Sequence, residues 1–119
     1  MYAAIAKSAN VQILPPLGYL DFLILMRECI LIVTDSGGIQ EEATAPCIRK
    51  PVLVVRLSTE RPEAVEVGFA QVVGTEKRAI LEAMEGTLEH PRTLPERSPY
   101  GEGNAAETIV EIIRRDFAV

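Results

Sequence analysis

Two short loops carry the residue types best suited to chemistry. The first is Thr34-Asp35-Ser36-Gly37-Gly38, set between the apolar run Ile30 to Val33 and a helical pattern over Ile39 to Ala45. Adjacent glycines let the backbone turn tightly and let a bulky anion approach with no Cβ in the way. Exposed N–H groups at a helix start, with the Ser36 hydroxyl beside them, favour a phosphate. The same residues also fit a plain capped helix start, with glycines for the turn. The pattern is neither G-x-G-x-x-G nor a Walker loop, so those motifs lend it nothing. Glu41 and Glu42 follow one turn later. They complement the helix dipole, or they accept hydrogen bonds from ribose hydroxyls, as acidic residues do in dinucleotide folds.

The second loop runs from Arg56 through Thr59, Glu60, Arg61 and Pro62 to Glu63. Arginine suits bidentate contact with phosphate or carboxylate, whereas a solvated salt-bridge cluster is the usual fate of mixed charges. Tyr100 with Gly101 and Gly103 makes a third, weaker candidate. His90 precedes a proline in a polar loop and reads as a surface residue. Cys29 and Cys47 show no C-x-x-C spacing, so neither a zinc site nor a disulfide framework has support. Cys29, inside an apolar run, reads as a small core residue.

The elements that must position these loops alternate between apolar runs and helical patterns, which predicts an α/β architecture. Val11 to Leu14 is a strand candidate ended by Pro15 and Pro16. Tyr19 to Glu28 reads as a helix, apolar nearly all round and hence buried. Ile30 to Val33 has no polar alternation, as expected of a central parallel strand. Pro51 to Val55 is the next buried strand, Glu63 to Val67 a helical turn after Pro62, and Ala70 to Val73 the last strand. Thr75 is expected to cap a helix from Glu76 to about Leu88, with Ile80, Leu81, Met84 and Leu88 on one face. A polar, proline-containing loop follows to Gly103. A final helix then places Ala106, Ile109, Val110, Ile113 and Phe117 at helical spacing, with Arg114 and Arg115 near its negative end. The expected fold is a partial Rossmann-like open parallel sheet with flanking helices. Ligands on such sheets sit beyond the carboxyl ends of strands, which is where the two loops lie.

With 119 residues the chain is expected to be a single domain over 1–119, and 48% hydrophobic residues is ordinary for a folded core. A formal charge of −5 argues against a phosphate-backbone binder, so no nucleic-acid partner is expected. The run Leu20 to Val33 is broken by Asp21, Arg27 and Glu28, and the first ten residues do not resemble a signal peptide. No membrane span and a cytoplasmic location are expected.

Thr34-Asp35-Ser36-Gly37-Gly38-Ile39-Gln40-Glu41-Glu42-Ala43, then Lys50-Pro51-Val52-Leu53, then Thr59-Glu60-Arg61-Pro62-Glu63-Ala64 resemble the non-hydrolysing UDP-N-acetylglucosamine 2-epimerases. Leu17-Gly18-Tyr19-Leu20-Asp21-Phe22 upstream and Pro99-Tyr100-Gly101-Glu102-Gly103 downstream fall in the family's order, so the similarity runs from about Asn10 to the end. The resemblance implies the C-terminal portion of a two-domain glycosyltransferase-B-like fold with its active site in the interdomain cleft. It implies interconversion of UDP-N-acetylglucosamine and UDP-N-acetylmannosamine, in the service of cell-surface polysaccharide synthesis. The family's reaction is anti-elimination of UDP to a 2-acetamidoglucal, then re-addition after C2 changes configuration. Carried over residue by residue, Ser36, Gly37 and Gly38 would hold the diphosphate and Glu42 the ribose. Phe22 would lie against the uracil, and Arg61 near the nucleotide or sugar phosphate.

This sequence departs from the family pattern in three places. The family's N-terminal domain, with acidic residues implicated in proton transfer at C2, is not matched. Neither is the His-Arg motif that opens its C-terminal domain, and Ala3 to Ser8 is expected to be only a helix tail. Thr44 to Arg49 is longer than the usual connection before Lys50-Pro51. The expectation is therefore a UDP-sugar-binding chain with no catalytic residue, metal or cofactor of its own. Its expected partners are a separately encoded N-terminal half and further copies of itself. The alternatives are a non-catalytic nucleotide-sugar binding module and an interaction protein.

Overall fold

A computed structural model describes residues 2–118, and at its centre lie three short parallel strands. These are β1 (Ile32–Thr34), β2 (Val52–Val54) and β3 (Ala70–Val72), paired in the order β1-β2-β3. Ile32 stands opposite Val52, and Val52 opposite Ala70. Helices α1 (Tyr2–Ala6) and α2 (Tyr19–Glu28) precede the sheet. Helix α3 (Gly37–Glu42) links β1 to β2, and α4 (Pro62–Glu66) links β2 to β3. Helices α5 (Lys77–Glu89) and α6 (Ala105–Phe117) follow. The α/β class with an open parallel sheet is as the alternating pattern predicts.

Every residue of β2 is buried, which explains its unbroken Val-Leu-Val run: a central strand covered on both faces has no solvent side to mark with polar residues. Met26, Ala43, Ile48, Ala64, Phe69 and Ala70 pack around it. Gly68, at φ 93°, turns the chain from α4 into the fully buried Phe69. Helix α4 begins with Pro62 in its first turn, where a missing N–H costs nothing.

Several expectations are corrected. Val11 to Leu14 forms no strand; its side chains are exposed and the segment pairs with no neighbouring strand. An apolar run becomes a strand only where a ladder partner exists. β1 starts at Ile32 rather than Ile30 and lies at an edge of the described sheet, not its centre. Helix α2 has the expected bounds, yet Met26 is its one buried residue. Helix α5 starts one residue later than predicted, because Glu76, not Thr75, holds the extended cap conformation. Helix α6 carries Arg114 and Arg115 in its last turn as expected, but buries no residue. The predicted apolar spacing is present, and every described residue of the helix is exposed.

These exposed terminal segments make the molecule long, with extents of 61 × 30 × 23 Å. Its radius of gyration of 17.4 Å exceeds the ~13.5 Å of an ordinary domain of this length. Among the described residues no helix is long and apolar enough to cross a membrane.

Candidate functional site

Because β1 and β2 are parallel neighbours, the loops that leave their carboxyl ends emerge side by side. The Val55 N–H bonds the Thr34 carbonyl at 3.0 Å and ties the two exits together. The Ser36 N–H donates to Thr34 Oγ1 at 3.0 Å, and Ser36 then caps α3, its Oγ accepting from the Ile39 N–H at 3.4 Å. That length is beyond the ordinary N–H···O range, so the cap is loose.

The glycine pair sits inside the first turn of α3, where the sequence predicts a break before Ile39. Neither Gly37 nor Gly38 has a positive φ; the glycines that do are Gly68, Gly74, Gly101 and Gly103. A Cβ on Gly37 would meet Arg61 at 3.8 Å, and one on Gly38 would meet Ser36 Oγ at 3.9 Å, both ordinary contacts. Neither backbone conformation nor packing within the chain therefore requires glycine here. The N–H groups of Gly37 and Gly38 bond no acceptor among the described residues, whereas those of Ile39 and Gln40 are taken by Ser36.

Arg61 lies against this turn. Its Nε donates to Glu41 Oε1, and one terminal nitrogen donates to the Glu60 carbonyl at 3.1 Å. Arg56 pairs with Glu60 at 2.8 Å. The salt-bridge reading of this loop is thus realised in part, and Glu41 is a partner that the sequence does not announce. Glu42, one residue on, faces α2. Its carboxylate, first through hydrogen bonding and then through its charge, raises the Tyr19 phenol above its ordinary pKa. Phe22, one turn after Tyr19, is half-buried against the core.

The fold therefore brings Ser36, Gly37, Gly38 and Arg61 together, with Glu42 at the far end of the same short helix beside α2. Missing from the sequence reading was Gln40, which is fully buried. Its Nε2 donates to the Ser36 carbonyl at 3.3 Å and its Oε1 accepts from Thr59 Oγ1 at 2.7 Å. A glutamine one turn into a helix otherwise reads as solvated, and no local signal marks it as buried.

The third candidate loop has a structural account. Tyr100 Oη accepts from the Ala64 N–H at 3.3 Å, and burial pushes its phenol up. Gly101 and Gly103 hold φ 111° and 88°, conformations that favour glycine. His90 is exposed, as expected. Cys29 is half-buried and its Sγ donates to the Met26 carbonyl at 3.1 Å; Cys47 is exposed, and both thiols are free. Among the described residues no cluster of three His, Cys, Asp or Glu could hold a metal. An apolar groove of about 290 Å³ runs along α2 beside Cys47 and Ile48, lined by none of the candidate site residues.

An open three-stranded parallel α/β sheet, with glycine-rich and arginine-bearing loops at adjacent strand ends, is a fold of the glycosyltransferase-B-like kind. The family model of UDP-N-acetylglucosamine 2-epimerase matches residues 1–114, and the chain belongs to that family. It is 44% identical over 111 residues to the UDP-N-acetylglucosamine 2-epimerase of Neisseria meningitidis, covering 90% of this chain and 29% of that protein. Against the Escherichia coli K12 enzyme of the same name it is 45% identical over 111 residues, covering 90% and 29%. The crystal structure of the Neisseria meningitidis enzyme bound to UDP-GlcNAc superposes with a TM-score of 0.83 at 42% identity, covering 93% of this chain and 30% of that one. The Methanocaldococcus jannaschii enzyme in complex with UDP-GlcNAc and UDP gives 0.80 at 37% identity, covering 96% and 30%. The chain thus spans about 30% of the length of the relatives it matches.

Proposed function

We propose that this chain is the nucleotide-holding part of a non-hydrolysing UDP-N-acetylglucosamine 2-epimerase, corresponding to the C-terminal portion of its relatives. Ser36, Gly37 and Gly38 hold the diphosphate, Glu42 the ribose, Phe22 the uracil, and Arg61 the phosphate side of the nucleotide. One observation carries this reading: two adjacent glycines whose small size the chain itself does not use, with unpaired N–H groups and an arginine laid against the first of them. A bulky oxyanion seated on that turn accounts for all three features. Relatives whose structures hold UDP-GlcNAc and UDP support UDP as the nucleotide.

In the reaction proposed for the complete cleft, UDP leaves C1 of the sugar as the C2 proton is removed. Negative charge grows on the diphosphate, and fixed N–H donors with a guanidinium stabilise it as it forms. These groups assist departure and re-addition of UDP; proton transfer at C2 belongs to residues outside this chain.

Calorimetric titration with UDP tests the proposal. Saturable binding, weakened in Ser36→Ala and Glu42→Gln, is expected. A folded chain that takes up no UDP at millimolar concentration overturns it. Adding a family N-terminal half, supplied as a separate chain, is expected to restore epimerisation.

A further inference from the structure

We propose that Gln40 is a positioning residue that locks the two site loops into one geometry and so sets where Arg61 stands. The proposal rests on the nucleotide-holding reading above and deepens it. Gln40 is fully buried, and burying an amide is unfavourable unless its hydrogen bonds are made. The neighbouring inward residues Ala43 and Thr44 also have no exposure, so an apolar side chain of similar volume would fit this layer without an amide. The amide's two ends are instead both spent on loops.

The Ser36 carbonyl can only accept, so it fixes Nε2 at 3.3 Å and turns Oε1 toward Thr59, whose hydroxyl donates at 2.7 Å. With its proton committed, Thr59 Oγ1 accepts from the Arg61 N–H at 3.0 Å. A continuous chain of bonds therefore runs Ser36–Gln40–Thr59–Arg61, from the end of β1 to the start of α4. No buried polar side-chain atom among the described residues is left unpaired, so the network is complete. Gln40 is not itself assigned to the nucleotide, and it reaches Ser36, which is, only through that residue's backbone carbonyl. It acts by holding the Ser36 backbone and the Arg61 backbone at a fixed spacing.

Gln40→Met keeps the volume and removes both bonds; Thr59→Val removes the hydroxyl and Thr59→Ser keeps it. UDP affinity is expected to fall about tenfold or more in Gln40→Met and in Thr59→Val, as the loss of a fixed binding geometry implies. The double variant should be no weaker than the worse single one, because both break one chain of bonds. Thr59→Ser should recover most of what Thr59→Val loses. Amide hydrogen exchange supplies a readout independent of UDP. The Arg61 N–H should exchange at least about tenfold faster in Gln40→Met, while the Val52 and Val55 amides in the sheet keep their protection, marking local release rather than general loosening. Unchanged Arg61 exchange in a folded Gln40→Met overturns the proposal, as do losses that multiply in the double variant. Faster exchange at Arg61 in a chain that takes up no UDP upholds the positioning role and sinks the nucleotide reading instead. If Gln40→Met does not fold, the contrast between Thr59→Val and Thr59→Ser decides on the same two readouts.

Discussion

Arg61 lies across Gly37, its Cγ and Cζ each 3.8 Å from the point that a Cβ on Gly37 would occupy. The contact joins the loop after β1 to the loop after β2. It also makes the reason for glycine at this position open to experiment, because nothing in the chain forbids alanine there.

Gly37→Ala is the direct trial. Its φ is ordinary and its new methyl would make only ordinary contacts. Alanine in a helix is favoured over glycine by about 0.5–1 kcal/mol, so thermal unfolding should stay level or rise. UDP affinity should nevertheless fall by about tenfold or more, equivalent to ~1.4 kcal/mol. A clear drop in melting temperature would show that the glycine serves the fold rather than a ligand.

Tyr19 reports on Glu42. The carboxylate favours the protonated phenol, so the folded-state pKa lies above its ordinary value of 10.0. Glu42→Gln removes the charge, and the Tyr19 pKa should drop toward that value. If the ribose takes over Glu42, saturating UDP should lower it too. Ring-carbon NMR titration resolves the tyrosines separately and checks both.

The pair between Arg61 and Glu41 is about 35–41% exposed, and pairs of that kind contribute at most about 1 kcal/mol. Glu41→Gln should therefore change stability little in denaturant melts. Arg61→Lys keeps the charge but loses the planar fork, and should weaken UDP by about tenfold in calorimetry if the guanidinium grips a phosphate. Equal affinity in the lysine variant would confine Arg61 to its bond with Glu41.

The thiols should differ in reactivity. Burial raises the Cys29 pKa, and its Sγ is engaged with the Met26 carbonyl, while Cys47 is exposed. The thiolate is the reactive form, so near-neutral alkylation followed by mass spectrometry should label Cys47 well before Cys29.

What could be read from residues alone follows from what each pattern encodes. Helical spacing located α2, α5 and α6, Pro62 located the start of α4, and the apolar Val52-Leu53-Val54 located the buried strand. Each signal is local. Covering partners are not local, so the exposure of α2 and α6 and the edge position of β1 could not be read from Leu20, Ile113 or Val33. The two candidate loops were legible as strand exits with glycine and arginine. Their mutual geometry was not, because it depends on Gln40 turning inward and on Glu41 meeting Arg61 twenty residues away. The glycine pair looked like a turn, since glycine is permissive in both directions; only the helical φ of Gly37 and Gly38 separates conformational need from open space.

The strand order β1-β2-β3 has a kinetic consequence. Each strand pairs with the one nearest to it along the chain, so each pairing closes a single βα unit. Each closure spans about twenty residues, slower to form than contacts within a helix, but no pairing has to wait for a strand further along the chain. Ser36 through Arg61 lie within consecutive units of this kind. The candidate site should thus assemble early, as soon as β2 and α4 leave the ribosome, and without waiting for α6. Its geometry would be set co-translationally, and the long exposed C-terminal helix would be added to a loop pair already in place.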